Sequence, residues 1–180
     1  MDKNNFKIIK QSLGNVIYSQ KTQEMAAIRK QGYVTKIKWA NIILVGLVFL
    51  FLFLDLLSPN SNFYNYISIA LTVSETLFLI FQLSFNPEKE TIEHKNTANK
   101  LWLMREKHLN LLTDIKNEIF DFAENSQIRD ELTKELSNIY KEAPQTNNDD
   151  YRNASTALNG NQKPKVDDDE YINFLPENLR

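Results

Sequence analysis

The chain has 180 residues, 42% hydrophobic and 24% charged, with a net charge of −2 and no cysteine. That length allows one domain or two small ones, the missing thiols exclude disulfides and thiolate metal sites, and the near-neutral charge gives no global case for nucleic-acid binding. The mean hydropathy of −0.42 looks like that of a soluble protein, but it averages two long apolar runs with very polar flanks.

Residues 1–38 read as a cytoplasmic helical segment. Leu13, Ile17, Met25 and Ile28 recur at helical spacing, while Gly14 and Gly32 are expected to interrupt the segment, giving one or two helices. Lys21, Arg29, Lys30, Lys36 and Lys38 lie within about 20 residues of the first apolar run, the zone that sets membrane topology. They are read as an anchor on anionic lipid headgroups rather than a specific lipid site. A polar segment of this length before the run, with no small-residue cleavage site after it, marks a retained span and not a signal peptide.

Residues 39–85 form the expected membrane hairpin, with spans at 39–57 and 63–85. Each run suffices to cross a bilayer, since about 20 helical residues at ~1.5 Å each cover the ~30 Å hydrocarbon core. Trp39 suits the interface, and from Ile42 to Leu54 the first span has no polar side chain. Gly46 offers a place for another helix to approach. The connecting loop, Ser58 to Asn62, lacks Lys and Arg, whereas Lys89, Lys95, Lys100 and Arg105 follow the second span. The positive-inside rule then puts both termini in the cytoplasm and the short loop outside, with Tyr64 and Tyr66 at the outer interface.

The second span differs from the first. Alternating steps of three and four give Asn65, Ser68, Thr72, Glu75, Leu79, Gln82 and Asn86, a polar stripe along one face. Glu75 is the demanding member, because a carboxylate at mid-membrane costs roughly 2.5 kcal/mol or more on insertion scales. In an antiparallel hairpin its level on the first span, around Val45 to Phe49, offers only apolar side chains and Gly46. Glu75 must therefore be neutral and locally bonded, meet polar groups of other copies, or face water. Ser68, Thr72, Glu75 and Gln82 are accordingly the candidate pore lining or oligomer interface.

Residues 86–160 read as a cytoplasmic helical region. A long helix is expected from Glu88 to about Asn125, with a seam of Ala98, Arg105, Leu112 and Ile119 and of Leu101, His108, Ile115 and Phe122. His94 and His108 read as packed or rim residues, without metal-site spacing. A second helix is expected after Asn125 or Ser126, carrying Ile128, Leu132, Leu136, Ile139 and Tyr140 and ending before Pro144. A third, capped by Asn147 or Asn148, would carry Tyr151 and Ala154 and close at Gly160. Residues 161–180 read as a linker and a short docking helix with Tyr171 and Phe174. The fold class is thus an all-α membrane protein, a two-span hairpin with a helical bundle. Trp102, Arg105, His108, Tyr140, Pro144 and Tyr151 are the candidate packing or partner-contact residues.

No glycine-rich phosphate loop, HExxH or GxSxG motif is present, so neither enzymatic activity nor a cofactor or metal is expected. Asp149, Asp150 and the acidic run from Asp167 read as helix N-terminal charges or solvated loop.

The order of features is more specific than any one of them. Two spans precede Trp102-Leu-Met-Arg105-Glu106, then Ile139-Tyr140-Lys-Glu-Ala143-Pro144, then Tyr151 with Ala154, then Phe174-Leu175-Pro176. This order resembles the SLATT family, bacterial two-transmembrane effector domains associated with SMODS nucleotidyltransferases and SLOG sensors. The resemblance implies an effector of an antiphage, abortive-infection system, oligomerising to form a pore or disrupt the membrane when a partner senses infection. The implied partners are membrane lipid, other copies of the chain and an operon-encoded sensor, such as a nucleotide second-messenger synthase or a defence-associated reverse transcriptase. No fused sensing domain is expected here, so the signal would arrive through the cytoplasmic helices or a separate protein. The alternative is a membrane-anchored scaffold or regulator that binds an operon partner without pore activity.

Overall fold

The computed structural model describes residues 3–58 and 62–160. These residues form five helices and no strand: α1 (Lys3–Leu57), α2 (Asn62–Ser84), α3 (Pro87–Lys116), α4 (Phe122–Glu142) and α5 (Asn148–Asn159). The expected C-terminal docking helix with Tyr171 and Phe174 lies outside the described residues, as do the central residues of the hairpin loop.

The amino-terminal segment and the first span are one helix of 55 residues, about 80 Å long at ~1.5 Å per residue. The interruption expected at Gly14 and Gly32 does not occur. A glycine inside a helix weakens it by only about 1 kcal/mol, and packing along a long face overrides that. A Cβ at Gly46 would meet nothing within 4 Å, so no helix of this chain approaches closely there.

Helices α2 and α3 form a second rod antiparallel to α1, broken only at Phe85-Asn86. The Asn86 side chain caps α3 by accepting from the Lys89 amide at 3.0 Å, and Pro87 takes the first helical position, where its missing N–H is harmless. Below the spans, the two rods pack like a coiled coil. Ile9, Val16 and Gln23 on α1 are buried at intervals of seven, as are His94, Leu101, His108 and Ile115 on α3. The second row of the α3 seam is Thr97, Met104 and Leu111, one residue before the expected Arg105 and Leu112. Arg105 is half-buried instead.

The long helix expected to Asn125 stops at Lys116. Glu118 takes a positive φ of 54°, and Asp121 opens α4 with a capping box: its carboxylate accepts from the Glu124 amide at 2.8 Å, and Glu124 accepts from the Asp121 amide at 3.0 Å. That reciprocal pair satisfies two orphan donors and outcompetes helix continuation, so Ile119 and Phe122 leave the seam and are exposed. Leu132 and Ile139 of α4 complete the core with Ile9, Val16, Leu101, Met104, Leu111 and Ile115. Helix α5, capped by Asn147, lies on α1 with Ala154 fully buried.

The apolar parts of α1 and α2 are long enough to cross a membrane and are almost unburied. Ile42, Ile43, Phe49 and Phe53 of α1 and Ile69, Val73, Leu77 and Ile80 of α2 are exposed, which in water would be a very large apolar patch. A bilayer is the solvent that suits them. The amino-terminal part of α1 and helices α3–α5 pack together on one side of these spans.

Candidate functional site

Within the spans, the half-buried positions of α1 are Asn41, Leu44, Val45, Val48, Phe51, Leu54 and Asp55, the stripe that faces α2. The matching stripe on α2 is Tyr64, Ile67, Ser68, Leu71, Glu75, Phe78 and Gln82. Register is marked by the Phe51 and Tyr64 rings, 6.4 Å apart near the tip. At the base, Gln82 shares a small cleft with Val34, Ile37 and Lys38.

The polar stripe of the second span therefore divides. Ser68 is buried, and Glu75 and Gln82 are half-buried toward α1, whereas Asn65, Thr72, Leu79 and Asn86 are exposed. The exposed hydroxyl at Thr72 donates to the Ser68 carbonyl at 2.8 Å, and Thr76 donates to the Thr72 carbonyl at 2.9 Å. Such back-bonding lets a hydroxyl meet lipid with its donor satisfied. Ser68 likewise donates to the Asn65 carbonyl at 2.8 Å. Glu75 and Gln82 have no such recourse. Glu75 Oε2, Gln82 Nε2 and, on α1, Asn41 Oδ1 are buried without any hydrogen-bond partner. Each such atom costs about 1–3 kcal/mol, more where charge is involved. Asn41 is a member that sequence reading missed, although an amide two residues inside an apolar run is a visible signal.

The bundle candidates Trp102, His108, Tyr140, Pro144 and Tyr151 fall into two groups. His108 is buried: its Nδ1–H donates to the Met104 carbonyl at 2.7 Å, which leaves Nε2 to accept from the Ser12 hydroxyl at 2.9 Å. The Tyr140 hydroxyl donates to Ser19 Oγ at 3.0 Å, the Pro144 carbonyl accepts from Gln23 Nε2 at 3.1 Å, and the Tyr151 ring stacks on Tyr18 with centroids 6.1 Å apart. These four residues all fasten α3, α4 or α5 to α1. Trp102 is different, exposed on the outer face of α3.

The centre of the fastening pairs two residues that the sequence assigns to separate roles. Arg29 grips Asp150 with two bonds, Nε to Oδ1 and Nη2 to Oδ2, both 2.8 Å. Asp150 is fully buried, and its Oδ2 also accepts from the Asn147 amide at 3.0 Å. Asp150 is thus a helix-cap charge, as expected, and a buried ion-pair partner as well. Burial alone pushes its carboxyl up, but the Arg29 bonds, the Asn147 amide and the neighbouring charges outweigh this and hold it below the ordinary range. The pairing gives two of the basic residues a protein partner. Arg29 is engaged with Asp150 and Lys30 pairs with Glu90, whereas Lys38, 3.4 Å from Glu88, stays exposed.

Gln23 links the Pro144 carbonyl to α3. Its Nε2 is directed to Pro144, so its Oε1 must accept from His94 Nδ1–H at 2.6 Å. Burial lowers the His94 pKa from 6.5, overcoming the upward pull of Asp150. Because the folded imidazole resists a proton that the unfolded one takes, stability is fully present above about pH 6.5 and declines as pH falls below it. Thermal unfolding in detergent is expected to show this decline between about pH 7 and pH 5, and His94→Gln to flatten it. An unchanged slope in the variant would assign the titration elsewhere.

A long two-helix membrane hairpin with a helical bundle on one side defines an all-helical two-transmembrane protein. The family of SMODS and SLOG-associating 2TM effector domains, family 4 (SLATT_4), matches residues 6–170. The chain belongs to that family, as the order of its features implied. Neither a curated protein nor a solved structure matches it significantly.

Proposed function

We propose that this protein is the membrane effector of a prokaryotic antiphage system, one whose hairpins rearrange and assemble to form a pore or disrupt the inner membrane. The observation that carries the reading is the trio of buried, unpartnered polar atoms on Asn41, Glu75 and Gln82, on the facing stripes of the two spans. A hairpin under-satisfied in this way gains hydrogen bonds when its spans part and meet water or the polar faces of other copies. Family membership supports the effector role. The Lys- and Arg-free loop opposite the bundle supports cytoplasmic termini. The trigger in this reading is an operon-encoded sensor acting on the bundle, either a nucleotide second-messenger synthase or a reverse transcriptase.

The chain has no cysteine, so Thr76→Cys provides a single cross-linking site on the exposed face of α2. Reconstituted into liposomes at increasing protein-to-lipid ratio, this variant is expected to give oxidised dimers, and the wild-type protein to release a trapped dye. Tight vesicles with no dimer would sink the reading. They would favour the scaffold instead, which has its own observation in the exposed row of Ile92, Trp102, Leu103 and Leu109 on α3.

A further inference from the structure

A cleft of about 430 Å³ opens between α1, the end of α4 and the start of α5. Its lining includes Tyr18, Thr22, Tyr140, Thr146, Asn148 and Tyr151, and no Lys, Arg, His, Asp or Glu. The volume is that of a small-molecule site. Tyr18 and Tyr151, whose rings stack on each other with centroids 6.1 Å apart and a 28° tilt, both border the cleft, and each offers a ligand the ring surface that the other does not cover. Thr22 is already committed to the Tyr18 carbonyl, and Tyr140 to Ser19. The side chains of Thr146 and Asn148 and the phenol groups of Tyr18 and Tyr151 have no hydrogen-bond partner among the described residues.

We propose that this cleft binds an uncharged nucleoside, its base against the Tyr18 and Tyr151 rings and its hydroxyls bonded by the polar rim. A flat ring with several hydrogen-bonding edges satisfies both halves of the lining at once: aromatic faces stack on any base, and amides and hydroxyls serve its edges and the ribose. A phosphate finds no counter-ion in the lining, so a nucleoside is favoured over its nucleotide. The cleft straddles the joint between α4 and α5, where Gln23 holds the Pro144 carbonyl, and its floor is the same helix that continues into the membrane. Occupancy therefore ties α4 and α5 to α1 across a position directly continuous with the first span. Binding stands on the cleft alone; only its consequence for the membrane rests on the effector reading.

The test is calorimetric titration of the full-length protein in detergent with adenosine, guanosine, cytidine and uridine, and with ribose and adenosine monophosphate for comparison. At least one nucleoside is expected to bind saturably, about tenfold or more tighter than ribose and no weaker than the monophosphate. Tyr151→Ala is expected to reduce affinity about tenfold and Tyr151→Phe to preserve it, since the ring carries the stacking. Thr146→Val, which leaves both rings in place, checks the rim and is expected to weaken binding severalfold. No saturable heat with any nucleoside, equal affinity for ribose, preference for the monophosphate, or indifference to Tyr151→Ala with normal melting would each overturn the proposal. Dye release measured separately on liposomes reports the effector reading, so the two fail independently.

Discussion

Replacing Arg29 with methionine is expected to cost about 3 kcal/mol of stability and to loosen α5 from α1. Removing one member of a buried pair leaves the other charged and unpaired, at about 3–5 kcal/mol. The low end applies because the Arg29 side chain is 26% exposed and water screens it, whereas the Asp150 side chain is 1% exposed. Methionine keeps much of the aliphatic stem, so the loss reports the guanidinium bonds. Asp150→Asn removes the buried charge while keeping an acceptor for the Asn147 amide, and is expected to be milder. The double variant should fall well short of the sum of the two, since the groups share one interaction. Thermal unfolding in detergent and hydrogen exchange of α5 amides measure both effects. The Asp150 pair also has a pH signature: its carboxyl is depressed in the fold, so its contribution is present above about pH 4 and is lost as pH falls through the folded pKa. A melting temperature unchanged by Arg29→Met would show that the Tyr18–Tyr151 stack and Ala154 hold α5 without the ion pair.

The same cluster shows what was legible in the sequence. Apolar length announced both spans, and the seven-residue interval announced the row of Leu101, His108 and Ile115, because burial imposes a period on a helix that any window of sequence displays. Asn147 and Gly160 marked the ends of α5 through local capping chemistry. The break after Lys116 was obscured, since Ile119 and Phe122 continue the period while the Asp121–Glu124 capping box stops the helix. The contacts of Arg29 with Asp150 and of Gln23 with Pro144 each join residues 121 positions apart. Nothing local encodes such a pairing; both members read as ordinary surface residues until the bundle brings them together. The polar stripe of α2 was legible as a stripe, but its division was not. Whether Thr72 or Glu75 turns toward α1 depends on the rotation of α2 about its own axis, which packing against Leu44, Val45 and Val48 decides.

If the hairpins assemble as proposed, that rotation makes the second span the place where substitutions have the largest functional effect. Glu75→Leu and Gln82→Leu together remove two unpartnered polar groups from between the spans. At about 1–3 kcal/mol each, the resting hairpin is expected to gain roughly 2–6 kcal/mol over any opened or assembled form. Each 1.4 kcal/mol is about a tenfold change in equilibrium, so depolarisation of expressing cells, followed by a potential-sensitive dye beside the wild type, should fall by more than about tenfold. The single variant Glu75→Gln separates two roles. It keeps a hydrogen-bonding group and removes the charge, so assembly driven by unmet hydrogen bonds survives it, whereas cation preference conferred by an ionised Glu75 does not. Asn41→Leu should reinforce the double variant, because its amide is sealed on the facing side of α1. Depolarisation undiminished by Glu75→Leu with Gln82→Leu would mean that the membrane is breached by another surface, with the exposed hydroxyl face of Thr72 and Thr76 the next to test.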